Sequence, residues 1–264
     1  MPTHQYRVVT LAEVASTNAE AMRRAAEGER GPLWIAAARQ TQGRGRSGRT
    51  WTSREGDLTA TLLFAPRCQQ AALYQLSLLA GVAVHDALLP LMPAGQPERP
   101  RLRLKWPNDI LVGHAKLGGI LVESSTIGAT TMAAIGIGIN IVAAPELSPR
   151  ATTSLAARGA SAEPHGLVET IAQRMETWLE IWHGGAGFSA LRTAWLDRAG
   201  PVGEPMSVNT GTSVVTGTFA GIDGSGALLL QGHGGGHETA LGQVRRFTFG
   251  DVTLTPHAAA EGQN

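Results

Sequence analysis

The sequence predicts an α+β architecture: a mixed domain over residues 1–199, a small β barrel over 200–257, and a frayed tail at 258–264. Three observations predict it. Strand-like apolar runs and helical segments interleave as far as residue 199. From Gly200 the helical periodicity stops, and short apolar runs alternate with glycine-rich turns such as GIDGSG at 221–226. The 264 residues are 43% apolar and 16% charged, which suits one large unit with its own core and one smaller unit.

Each element follows from its local pattern. Residues 7–11 alternate and read as a short strand. Ser16 or Thr17 is placed to cap a helix over 19–26, which Gly28 and Pro32 end. Residues 33–38 form an apolar strand, and 39–50 (RQTQGRGRSGRT) are too polar and glycine-rich for a packed element. LTATLLF at 58–64 is a strand. The strongest helix, 73–89, is apolar on nearly every turn, so it belongs in a core. A loop follows at 90–100, then a strand over 102–106 stopped by Pro107. A short apolar piece at 110–112 and strands at 116–124 and 131–141 come next. Residues 145–158 read as irregular, 165–184 as an amphipathic helix and 188–199 as a shorter one. Strands are expected near 213–215, 227–230 and 244–249.

Composition narrows the function classes. Twenty-two Lys and Arg against 21 Asp and Glu leave a formal charge of +1, which argues against a protein-wide field for nucleic acid or an anionic membrane. The single cysteine, Cys68, excludes an intramolecular disulfide framework and a multi-thiolate metal site, and suits a reducing compartment. The N-terminus lacks the charged and apolar regions of a signal peptide. No run reaches 18 uninterrupted apolar residues, so no membrane span is expected. There is no HExxH, GxSxG, CxxC or Walker A motif, and GIGIN at 136–140 lacks the third glycine of a dinucleotide fingerprint. His233 and His237 sit in a glycine-rich loop with no reason to form a helical metal site.

Four segments carry candidate chemistry. QTQGRGRSGRTW at 40–51 holds Arg44, Arg46 and Arg49 among glycines, a combination suited to binding an anion or to a solvated basic loop. Trp51 either stacks on a ring or anchors that loop. KWPND at 105–109 packs Lys, Asn and Asp around a rigid proline, with Asp109 a candidate magnesium ligand or a turn former. KLGGILVE at 116–123 opens a strand with Lys116, and Gly118 and Gly119 leave room above the backbone. Asn140 ends an apolar strand, so its amide is met by backbone or faces a ligand. Ser16, Thr17 and Asn18 pose the same choice between helix cap and pocket wall.

Taken together, Ser16-Thr17-Asn18, GRGRSGRTW at 43–51, KWPNDI at 105–110, KLGGILVE at 116–123 and GIGIN at 136–140 resemble the biotin protein ligase (biotin–acetyl-CoA-carboxylase ligase) family in order and spacing over about residues 7–250. The resemblance implies a catalytic domain like that of class II aminoacyl-tRNA synthetases and biotin and lipoyl ligases, with a small C-terminal SH3-like β barrel. It implies a reaction in which biotin and ATP form biotinyl-5′-AMP, and biotin then passes to a lysine of a biotin carboxyl carrier protein. Carried over residue by residue, it assigns Ser16, Thr17, Asn18, Gln40, Gly43, Arg44, Gly119 and Leu121 to biotin. Arg46, Trp51, Lys116 and Asn140 fall to the nucleotide. Lys116, Arg46 and Asp109 become the catalytic set, with Asp109 tied either to Mg²⁺ or to activation of the acceptor lysine. The carrier subunit of acetyl-CoA carboxylase, or a related carboxylase, is the implied partner, and the setting is cytoplasmic. Only 15 residues precede Ser16, so the type without an N-terminal DNA-binding domain is expected, with no DNA and no membrane partner; a homodimer stays open. The sequence departs from the family in its glycine-rich 232–244 segment. Two rivals remain: a lipoyl or octanoyl ligase, whose pocket needs no ureido-ring partners, and a basic-loop binding module without ATP turnover.

Overall fold

The computed structural model describes residues 6–93, 101–146, 151–232 and 242–255. The first unit is a seven-stranded sheet in the order β1-β2-β3-β7-β6-β5-β4. Its strands are β1 (Arg7–Val14), β2 (Leu33–Gln40), β3 (Leu58–Phe64), β4 (Leu102–Lys105), β5 (Asp109–Val112), β6 (Ala115–Ile127) and β7 (Thr130–Ile139). Among the described strands of this sheet, β1 and β2 pair in parallel and the other neighbouring pairs are antiparallel; the helix α1 (Thr17–Ala26) makes the crossover between β1 and β2.

The two faces of this sheet are covered unequally, and that creates the site. Trp34, Leu62, Ile135, Ile137 and Ile139 point to the face covered by α2 (Gln75–Leu88), α3 (Pro164–Trp182) and α4 (Phe188–Arg198). Their alternate neighbours Leu33, Ile35, Leu63, Met132 and Ala134 point the other way, onto Ala21 and Ala25 of α1. A ten-residue helix covers only part of that face, and the part beyond its N-terminus stays open.

α2 is apolar all round because it is enclosed all round, by the sheet, α3 and α4. Its extended stretch, Gln70–Leu91, has the length and hydropathy of a membrane-crossing helix, but most of it is buried inside the protein. Asp86 on this helix ties the three helices together. It accepts hydrogen bonds from Arg198 Nε at 2.7 Å and Trp178 Nε1 at 3.1 Å. Burial would raise the Asp86 pKa, but His85, Arg198 and Trp178 outweigh burial and hold it at about 2. The pKa is lower in the folded than in the unfolded state. Stability from this group is therefore complete above the unfolded value of about 4 and is lost as pH falls through the folded one. Asp86→Asn should cost ~2 kcal/mol at neutral pH and progressively less below pH ~4, as read by denaturant melts across the acid limb. A difference from wild type that is constant down to pH ~2 would refute this.

The C-terminal unit corrects one expectation. Its strands are β8 (Pro205–Asn209), β9 (Val214–Ile222), β10 (Leu228–Gln231), β11 (Val244–Phe247) and β12 (Asp251–Leu254). They form an antiparallel sheet in the order β11-β10-β9-β8-β12, and this sheet is not closed into a barrel. β11 and β12 lie at opposite edges although only residues 248–250 separate them in sequence. The sheet has no need to close in order to bury its apolar face. Met206, Phe219, Leu228 and Val252 join the same core as α2 and α4, and Trp195 of α4 meets Phe219 edge-on at 6.3 Å. Alternation reveals strands but not whether the outer two pair. β8 and β12 were not anticipated, and β9 is far longer than 213–215. The predicted tail at 258–264 and most of the 232–244 segment lie outside the described residues.

Candidate active site

The open part of the sheet face is a cavity of about 490 Å³. Strands β6 and β7 form its floor, with Gly119 paired to Gly138 and Leu121 to Gly136. The glycines make room mainly for the protein's own side chains. A Cβ on Gly136 would stand 2.4 Å from Asn18 Oδ1, and one on Gly138 would stand 2.4 Å from the Trp51 ring. One on Gly119 would stand 3.2 Å from Lys116 Nζ. The bare floor thus seats Asn18, Trp51 and Lys116.

One end of the cavity is lined by neutral hydrogen-bonding side chains, with the Glu123 carboxylate behind Asn18. Ser16 caps α1 through a 3.5 Å bond from Ala19 N–H, and it also lines the cavity, so both earlier readings of it hold together. Thr17 donates to Gln40 Oε1 through its backbone N–H at 2.8 Å and its hydroxyl at 3.0 Å. Asn18 donates to Leu121 O at 3.2 Å and Glu123 Oε2 at 2.7 Å, while the Thr61 hydroxyl lies 2.7 Å from its Oδ1. Its amide is fully engaged within the protein.

The other end is cationic. The 43–51 segment folds back on itself, with Trp51 N–H bonded to Gly43 O at 2.9 Å and Gly45 N–H to Arg49 O at 2.7 Å. Its tip carries Arg46 inward, within 3.3 Å of Asn108 Oδ1, while Arg49 pairs with Asp251. Arg44 lies 3.8 Å from Glu123. Burial lowers the Arg46 pKa, and the carboxylates of Asp251 and then Asp109 oppose that. Lys116 Nζ stands 2.5 Å from Asp109 Oδ1 and 5.9 Å from the Trp51 ring centre. Lys105 Nζ takes the other oxygen of Asp109 at 2.7 Å. Burial would raise the Asp109 pKa, but these two ammonium groups together hold the carboxyl well below the usual range.

Of the residues assigned by the resemblance, all but Gly43 line the cavity; Gly118 does not line it either. A Cβ on Gly43 would strike Trp51 O at 2.3 Å, so Gly43 lets the loop close on itself. Asn140 lines the cavity while donating its amide to Thr153 O at 3.0 Å, which ties down the segment after β7. Sequence reasoning missed Thr61, whose only signal was a hydroxyl inside an apolar strand. It also missed Asp251 and Val252, which reach the cavity from the C-terminal sheet.

Comparison with known proteins covers both units of the fold. Residues 13–140 match the biotin/lipoate A/B protein ligase family, and residues 202–254 match the biotin protein ligase C-terminal domain. The chain is 40% identical over 233 residues to a biotin–[acetyl-CoA-carboxylase] ligase of Paracoccus denitrificans, covering 85% of this chain and 94% of that one. Its fold is similar to that of a biotin protein ligase from Aquifex aeolicus in complex with biotin and ATP. The TM-score is 0.76 at 25% identity, over 94% of this chain and 99% of the other. It is also similar to a biotin protein ligase from Leishmania major in complex with biotinyl-5-AMP. There the TM-score is 0.61 at 26% identity, over 92% of this chain and 99% of the other.

Proposed function

This chain belongs to the family of biotin–[acetyl-CoA-carboxylase] ligases, and from that premise we propose how its cavity performs the two half-reactions. The observation that carries the reading is the polarity of the cavity, with neutral hydrogen-bonding groups at one end and converging cations at the other. Biotin's uncharged ureido ring suits the Ser16, Thr17 and Gln40 end. Its carboxylate then lies toward Lys116 and Arg46, beside the triphosphate of ATP.

In the first step a carboxylate oxygen of biotin attacks the α-phosphorus of ATP, the bond to the β-phosphate oxygen breaks, and pyrophosphate leaves. Carboxylate and phosphate repel each other, so the step depends on fixed positive charge between them. Lys116 and Arg46 supply it, whereas Arg44 lies beside Glu123, the carboxylate that also holds Asn18. Trp51 and Asn140 bound the side where the nucleotide base lies. Asn18, with its amide already engaged, holds the floor in place rather than offering a bond to biotin.

The residues present do not fit a magnesium ion held by Asp109. Both of its oxygens face ammonium groups, and no cluster of three His, Cys, Asp or Glu side chains able to hold a metal exists among the described residues. Asp109 is instead the positioning residue for Lys116.

In the second step a lysine amine of a biotin carboxyl carrier protein attacks the acyl carbon, the bond to the phosphate oxygen breaks, and AMP leaves. The amine must arrive neutral, whereas free lysine has a pKa of about 10.4. A carboxylate held as low as Asp109 is a poor base for it. The surrounding cations disfavour a third ammonium beside Lys105 and Lys116 and so favour the neutral amine, whose proton is released to solvent.

Pyrophosphate exchange into ATP tests the first step. Exchange is expected only when biotin is present. Exchange without biotin, or equal exchange with lipoate or octanoate, would overturn the reading.

A further inference from the structure

The C-terminal sheet enters the cavity through two adjacent residues of β12, and each engages a different cationic segment. Asp251 pairs with Arg49 of the loop. The carbonyl of Val252 accepts from Lys105 Nζ at 2.9 Å, and Lys105 is the second lysine on Asp109. Asp251 is also the nearest in influence of the acidic charges that act on the half-buried Arg46. An acidic group at the phosphate end repels the substrate directly. Its presence there needs another benefit, and the geometry supplies one.

We propose that Asp251 is a positioning residue that pins Arg49, and with it the 43–51 loop, to the C-terminal sheet, so that the loop stays closed over biotinyl-5′-AMP until the acceptor lysine arrives. The inference rests on the adenylate-forming reading above. The two anchors on β12 act on different sides of the cavity, so the C-terminal sheet braces both the loop and the Lys105–Asp109–Lys116 row. Retention matters chemically because an acyl adenylate that meets water is hydrolysed to biotin and AMP, and the ATP is wasted.

The test uses the full chain with three variants, Asp251→Asn, Arg49→Gln and the two combined. The half-life of the adenylate is followed without acceptor, and ATP consumed is counted per biotin transferred with acceptor. The pair is partly exposed, so its worth lies near the upper end for surface pairs. Each single variant should shorten retention about fivefold and raise the ATP-to-biotin ratio accordingly. The combined variant should be no worse than either alone, because one interaction is being removed. Affinity for biotin alone should stay within about twofold in Asp251→Asn, since Asp251 is an anion and offers biotin's carboxylate no attraction to lose. Wild-type retention in Asp251→Asn, or additive losses in the combined variant, would overturn the inference. So would biotin affinity falling in step with retention, which marks a merely structural effect. A wild-type chain that forms no adenylate would fail the underlying reading instead, and is told apart by the exchange assay.

Discussion

Lys116→Ala should lower biotin-dependent ATP–pyrophosphate exchange by about 10²–10³-fold while leaving the fold intact. The expectation follows from where the ammonium sits. It is held against Asp109 at 2.5 Å, beside the Trp51 ring, on a floor whose Gly119 leaves space for it. The side chain is therefore fixed before the substrate arrives, and its charge costs little reorganisation when the carboxylate meets the α-phosphate. Arg at this position keeps the charge but replaces the compact ammonium on Asp109 with a larger planar head. Lys116→Arg should thus recover only part of the exchange. Exchange within about threefold of wild type in Lys116→Ala would remove this residue from the first step.

Asp109→Ala should act on stability and activity together. The carboxylate is buried between two ammonium groups, and removing it leaves both without their shared counter-ion. Breaking a buried pair in this way costs about 3–5 kcal/mol, equivalent to a fall in Tm of roughly 6–20 °C for a chain of this size. Lys116 also loses its anchor, so exchange should fall even at temperatures where the variant is folded. Asp109→Asn keeps an acceptor for one lysine and should lose less stability than the alanine variant. A Tm unchanged in Asp109→Ala would mean that the lysine row is not held by this carboxylate.

Much of this site was legible in the sequence because its parts are local. A loop rich in glycine and arginine, a lysine at a strand start and a proline-fixed turn each announce themselves within ten residues. What they do to one another was not legible. Gly119 reads as open space above the backbone, but Lys116 lies over it, and the missing side chains of Gly136 and Gly138 are needed by Asn18 and Trp51, which come from 118 and 87 residues earlier in the chain. Asp109 offered itself as a metal ligand, and only the folded structure shows two lysines on its oxygens. Asp251 carried no signal at all, because its role depends on how the C-terminal sheet docks. The same holds for the fold. The first unit's strands and helices follow from period and apolar runs, whereas those signals predict a barrel where the C-terminal sheet is open. Closure depends on whether another surface is at hand to cover the apolar face, and Trp195 of α4 is that surface.

Transfer of labelled biotin to the lysine of a purified apo carrier domain tests the central claim most directly. The chain should label the carrier only with ATP present, with labelling lost in Lys116→Ala at the exchange step but restored in part when preformed biotinyl-5′-AMP is supplied. No labelling of a competent carrier by the folded wild-type chain, or labelling that persists without ATP or adenylate, would contradict it.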